Sequence, residues 1–307
     1  MIRLNDIILL IVVFTSMFGG ILFPRFGSLF SDYPQYCMMI LLFLGFLSIE
    51  LRDIWATLKS STGMITCLTI LKIMIIPVAI YYGFMIVAPS YAVAALLLSG
   101  ISTGVVAPFM SNLLKANSPL VMVMVVVTSL LTPFTLPALI KILLGQTVEI
   151  SLSGMIRTLS LIIFIPILVA EIVRNLAPRL IAVFTNIRFP LSLSMFAFIN
   201  LSIFSRYSDF FHREPITIIT ATVVAIVLSA IYCAAGIVCM IKKPIEDQLA
   251  GAVTLGNINN VLIVVFASEY FGPLEPTVAA IYIFPFFALL LPLRMYYNWH
   301  TRSGAPS

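Results

Sequence analysis

Most of the chain is written in long runs that are apolar at every position. They lack both the alternation of a half-buried strand and the one-sided stripe of a helix on a water-soluble fold. A helix apolar all round belongs in lipid or among other helices of a bundle. Polar clusters interrupt the runs at Phe23-Pro24-Arg25-Phe26-Gly27, at 209–215, at Lys242-Lys243-Pro244 and at Tyr270-Phe271-Gly272-Pro273. Residues 73–114 carry no charge at all. One crossing takes about 20 residues, so this stretch is two spans divided at Ala88-Pro89-Ser90. The pattern predicts ten membrane helices, at 5–24, 34–52, 62–87, 91–114, 118–144, 156–176, 187–205, 215–241, 247–268 and 274–296.

Composition agrees. Of 307 residues, 61% are hydrophobic and 9% charged, against about 25% charged in a soluble domain. A water-soluble enzyme or signalling domain is excluded, because the chain lacks the polar residues to cover one. A transmembrane β-barrel would need alternating strands, which are absent from the pattern. The first apolar run, 7–23, carries no clear small-x-small cleavage site and reads as a retained first span, not a signal peptide.

The net charge of +5 is scattered over short connections, which suits membrane topology and not nucleic-acid binding. The N-terminal side holds eleven basic residues, among them Arg174, Arg179 and Arg188, and the opposite side five. The positive-inside rule therefore predicts an inner-membrane protein with both termini cytoplasmic. Cys37, Cys67, Cys233 and Cys239 all lie in apolar runs and read as packing; His212 and His300 lie in polar connections. No metal or cofactor motif is present, so none is expected.

Two five-span halves, 1–150 and 151–307, have corresponding features. The fifth and tenth spans each carry two prolines (Pro133 and Pro137; Pro285 and Pro292). The span before each has a helix-weakening centre: Ser102-Thr103-Gly104-Val105-Val106-Ala107-Pro108 with Ser111-Asn112, and Thr254-Leu255-Gly256-Asn257-Ile258-Asn259-Asn260. An odd number of spans per half gives the halves opposite orientations, the inverted-repeat plan of secondary transporters. Lipid cannot satisfy free backbone groups, so a helix breaks at membrane depth only where protein or a cavity covers the break. Pro108 suits the first turn of a restarting half-helix. Asn257, Asn259 and Asn260 bring three amides that need polar partners.

Lys72 sits inside the third apolar run with no acidic neighbour in that span. A lysine at bilayer centre costs about 2.5–3.5 kcal/mol. Its partner is either the carbonyl end of a half-helix or an anionic substrate. The candidate substrate-binding set is Lys72, Thr103, Gly104, Pro108, Ser111, Asn112, Thr128, Ser129, Thr254, Asn257, Asn259 and Asn260.

The run from Leu41 to Leu47 through Glu50-Leu51-Arg52-Asp53, the Pro77 span, the broken fourth span flowing into Thr128-Ser129-Leu130-Leu131-Thr132-Pro133, and the Gly256–Asn260 segment together resemble the bile acid:sodium symporter family. The resemblance covers essentially the whole chain. It implies a panel domain of spans 1, 2, 6 and 7 and a core domain of spans 3–5 and 8–10, with spans 4 and 9 crossing at their breaks. It also implies alternating-access transport of organic anions, usually driven by sodium. The family's sodium-site positions fall here on Ala107, Pro108, Val121, Val125, Thr254, Ile258 and Lys72, which are apolar groups, a hydroxyl and an ammonium. Asn259 matches the family asparagine beside substrate. The expectation is therefore a sodium-independent carrier of a small organic anion, with Lys72 replacing a sodium ion. A lysine that binds and releases its proton would instead make the proton the coupling ion.

The alternatives are a sodium- or proton-coupled symporter of bile-acid-like or small carboxylate substrates, and an auxin-efflux-type carrier, which would favour proline at both breaks where only Pro108 is present. A channel and a non-transporting sensor are the readings from other classes. No His-Glu-x-x-His, Gly-x-Ser-x-Gly or acidic metal motif supports an enzyme, and no catalytic residues are assigned.

Overall fold

The computed structural model describes residues 4–47, 49, 51–145 and 151–303. Arg3 and Glu50 lie outside the described residues, and only the backbone of Arg52, Asp53 and Arg302 is described. In chain order the α-helices are α1 (Leu4–Leu22), α2 (Pro24–Gly27), α3 (Pro34–Phe46), α4 (Leu51–Ser60), α5 (Thr62–Ile70), α6 (Ile76–Val87), α7 (Ala92–Gly100), α8 (Ala107–Leu113), α9 (Ser118–Leu144), α10 (Leu152–Leu176), α11 (Pro178–Arg206), α12 (Ser208–Arg213), α13 (Pro215–Cys239), α14 (Ile245–Gly256), α15 (Asn260–Tyr270), α16 (Leu274–Ile281), α17 (Ile283–Ala288) and α18 (Leu290–Ser303). Among the described residues there is no strand beyond one isolated bridge, Thr103 to Ile258.

Local chemistry sets the starts. Proline opens α2, α3, α11 and α13, where its missing N–H needs no partner. Asn117 caps α9 by accepting from Leu120 N at 3.2 Å, and Ser151 caps α10 by accepting from Gly154 N at 3.1 Å. Pro77 has no N–H to offer the preceding turn, and the helix just before it widens into a π turn, Leu71–Ile75, which carries Lys72.

Six helical stretches are long and apolar enough to cross a membrane: Thr62–Val87, Ser118–Leu144, Leu152–Leu176, Pro178–Arg206, Pro215–Cys239 and Leu274–Thr301. Ile11–Leu22 with Pro24–Phe30, bent by 108°, makes a seventh. The chain is an all-helical, multi-pass membrane protein. The other expected spans are short or interrupted, and two of the long ones differ in outline from the expectation. The second, expected at 34–52, stops at Phe46, and α4 is a separate helix. Arg174 of α10 ends α3 by donating to Phe46 O at 3.0 Å and Ile49 O at 2.7 Å, while it also pairs with Glu171. The seventh span, expected from 187, starts nine residues earlier at Pro178. Arg188 therefore lies well inside a membrane helix and not in a connection. The tenth is divided into α16, α17 and α18, whereas the fifth keeps Pro133 and Pro137 within one helix.

α1, α3 and α10 pack with α11 or each other. α6 packs on α7, α13 on α14, α8 on α9 and α15 on α16. α13 and α14 approach at Gly236 and Gly251, where a Cβ on either would strike the other's backbone.

Candidate functional site

Both polar centres break their helices. α7 ends at Gly100, Ile101 is extended, and α8 restarts at Ala107. α14 ends at Gly256 and α15 restarts at Asn260. The two breaks cross and pair as a short antiparallel bridge: Gly104 N donates to Asn257 O at 2.7 Å, and Asn259 N donates to Ser102 O at 3.0 Å. Exposed backbone at depth is thereby satisfied by exposed backbone. A Cβ on Gly104 would stand 2.8 Å from Ile258 O, so the close approach requires glycine there.

The carbonyl end of α14 is finished by side chains from distant elements. Thr103 Oγ1 donates to Thr254 O at 2.9 Å, Lys72 Nζ to Leu255 O at 3.3 Å, and Tyr282 Oη to Gly256 O at 2.8 Å. These are the orphan acceptors of a helix C-terminus, where the dipole is negative. Lys72 is 1% exposed, so it does not reach lipid headgroups. Its Nζ also lies 5.7 Å from the ring centroid of Tyr232. A charged hydrogen bond contributes about 1.5–3 kcal/mol, and a desolvated cation–π contact about 2 kcal/mol. Each is comparable to the insertion cost of a lysine, so together they offset that cost. Of its two expected partners, the structure supplies the half-helix carbonyl.

A cavity of about 320 Å³ opens beside the crossover. One wall is α3 and α11, with Met38, Leu41, Thr185, Arg188, Ser192 and Phe196; the other is Gly104, Val105, Asn259, Asn260 and Phe286. On α11, residues 185, 188 and 192 share one face by helical spacing and make a polar stripe within an apolar wall. Asn259 is 5% exposed. Its Oδ1 caps α15 by accepting from Leu262 N at 3.3 Å, and its Nδ2 has no hydrogen-bond partner among the described residues. A second, more polar cavity of about 280 Å³ lies at the other end of α15, lined by Asp32, Gln35, Arg206 and Glu269 among others. There Arg206 Nη1 donates to Ser268 O at 3.0 Å.

The expected site residues divide into three groups. Gly104, Asn259 and Asn260 line the first cavity. Lys72, Thr103, Thr128, Thr254 and Asn257 build the crossover beneath it, with Thr128 Oγ1 accepting from Thr103 N at 3.0 Å. Ser129 is buried on α9, one residue from Thr128. Pro108, Ser111 and Asn112 instead serve α8 and its turn. Ser111 Oγ donates to Pro108 O at 2.7 Å, and Ser118 Oγ bonds both Ser111 Oγ and Asn112 Oδ1 at 2.6 Å. Ala107, Val121, Val125 and Ile258 are buried in the apolar core. Sequence reasoning missed Arg188, Tyr232 and Tyr282. The Ala177-Pro178 pair was the available signal for Arg188, because it marks the true start of α11.

Crossed, interrupted helices beside a cavity at membrane depth are the architecture of membrane carriers. The Sodium Bile acid symporter family model matches residues 35–214, more than half of the chain, and the chain belongs to that family. It is a family of membrane transporters. No curated protein matches the chain.

Proposed function

We propose that this protein carries a small organic anion across the inner membrane by alternating access, without sodium, and that the Lys72 ammonium does the work of a bound cation. The observation that carries this reading is the Lys72 Nζ on Leu255 O, at the negative end of an interrupted helix. A cation placed there fixes the half-helix end and holds positive potential near the crossover. A protein-borne charge needs no ion from solution. Ala107, Val121, Val125 and Ile258 are buried and apolar, so those four positions offer no side-chain oxygen to a hard cation.

In this reading the substrate occupies the first cavity. Its acidic or polar end meets Asn259 Nδ2 at the start of α15, and its apolar body meets Met38, Leu41 and Phe196. Spans 1, 2, 6 and 7 form a panel and spans 3–5 and 8–10 a core, in two inverted halves with both termini cytoplasmic. The packing of α11 on α1 and α3, and the reciprocal bridge between the two breaks, support that division.

One observation favours a second reading, sodium-coupled transport. Ser102 Oγ, Ser129 Oγ, Thr254 Oγ1 and Asn257 Oδ1 are buried around the crossover with no partner among the described residues. They are neutral oxygens of the kind that bind sodium, or ordered water.

The test is uptake into proteoliposomes of carboxylates, sulfated steroids and bile acids, first screened by thermal shift. Sodium-independent transport predicts equal initial rates when external Na⁺ is replaced by K⁺. A rate that collapses in K⁺ establishes the second reading. Binding without saturable, counterflow-competent flux would make the protein a sensor.

A further inference from the structure

Cys37 and Cys233 are core packing and Cys239 packs at the edge of the core, whereas Cys67 is exposed. The sulfurs of Cys67 and Cys239 lie 3.3 Å apart. Cys67 is on α5 and Cys239 is the last residue of α13, three residues before Lys242-Lys243. That puts the pair near the ends of both helices, within two turns of Ser60-Ser61-Thr62 on one and Lys242-Lys243 on the other. Residues 172 apart in the chain are thus in thiol–thiol contact. Lys72 follows five residues after Cys67, and Tyr232 and Cys233 precede Cys239 by six or seven. The dithiol and the Lys72 contact with Tyr232 are therefore two levels of the same helix pair.

We propose that Cys67 and Cys239 are a modification site: a dithiol oxidised reversibly by a hydroperoxide to a disulfide that staples α5 to α13. One sulfur, as thiolate, attacks a peroxide oxygen. An S–O bond forms, the O–O bond breaks, and the leaving oxygen departs as water with the thiol proton when the oxidant is hydrogen peroxide. The second sulfur then attacks the sulfenic sulfur. The S–S bond forms, the S–O bond breaks, and a second water leaves with the second thiol proton. Two thiols and one hydrogen peroxide give one disulfide and two waters. The sulfurs, 3.3 Å apart, need to close by about 1.3 Å to reach disulfide bond length. Disulfide formation ties the first half of the chain to the second beside Lys72. This inference is independent of which ion drives transport.

The experiment uses the full chain in detergent, treated with hydrogen peroxide and then alkylated with a maleimide. Untreated protein should label readily at Cys67 and Cys239 and poorly at Cys37 and Cys233. Oxidised protein should lose both accessible labels, run as a monomer without reductant, yield one cross-linked peptide containing Cys67 and Cys239, and recover both labels with dithiothreitol. Its melting temperature should rise, and Cys67→Ser and Cys239→Ser should each abolish that rise and the linked peptide. Unchanged labelling after peroxide, dimers joined through disulfides, or sulfinic acid without a linked peptide would each overturn the proposal.

Discussion

The two half-helices that end at the crossover, α7 and α14, each receive a side chain from the other half of the chain, but of different character. Lys72, next to α5, donates to Leu255 O of α14 at 3.3 Å. Tyr232 of α13 donates to Ala95 O of α7 at a long 3.5 Å. Around α14 every carbonyl from Thr254 to Asn257 has a partner from a distant element. On α7, Ser99 Oγ bonds back to Ala95 O and Leu96 O within its own helix. The end of α14 is tied by Lys72 Nζ and Tyr282 Oη; on α7 the side-chain bonds fall on Ala95 O and Leu96 O, a turn before its last residue Gly100. Lys72 reaches one end only, and Tyr232 touches both, as a ring 5.7 Å from Lys72 Nζ and as a weak donor to α7.

The comparison is broken most forcefully at Lys72. Lys72→Gln keeps a donor but removes the charge. Losing a charged hydrogen bond of about 1.5–3 kcal/mol corresponds to roughly ten- to a hundredfold, so uptake should fall at least about tenfold in reconstituted vesicles. Unchanged uptake would make Lys72 a structural tie. Next comes Gly104→Ala, whose Cβ meets Ile258 O at 2.8 Å. Overpacking costs about 1–3 kcal/mol, and a lower melting temperature should accompany lost transport as the bridge is forced apart. A fully stable Gly104→Ala would deny that the crossing is as close as described. Tyr282→Phe leaves Gly256 O without its donor, at a cost of about 1–3 kcal/mol for a buried acceptor, read as a melting shift. The smallest effect should be Tyr232→Phe. It loses a bond at the distance limit but keeps the ring beside Lys72, so its change should stay at the low end of about 0.5–1.5 kcal/mol. If Tyr232→Phe proved worse than Tyr282→Phe, the contrast between the two ends would be reversed.

Much of this was legible before the structure, because its cause is local. Gly104 and Pro108 among hydroxyls, and three amides beside Gly256, are clusters that weaken a helix at several positions at once, so the breaks fall where the clusters stand. Lys72 was conspicuous by cost alone. What was illegible depends on partners far off in sequence. α3 ends at Phe46 because Arg174, 128 residues later, takes its carbonyl. Tyr232 and Tyr282 are set apart only by contacts distant in sequence, Tyr232 beside Lys72 Nζ and Tyr282 on Gly256 O. Ser111 and Asn112 stand beside the break, but their bonds to Ser118 turn them toward the next helix. Arg188 was hidden by a helix start set nine residues late, which counted a cavity-lining cation as a loop charge.

The account rests on a lysine doing what a dissolved ion does elsewhere, and ²²Na⁺ equilibrium binding to the purified protein measures that directly, with Lys72→Gln alongside. The account predicts no saturable sodium binding to the native protein, with or without transported anion. Stoichiometric, saturable ²²Na⁺ binding to the native chain that the anion strengthens would contradict it.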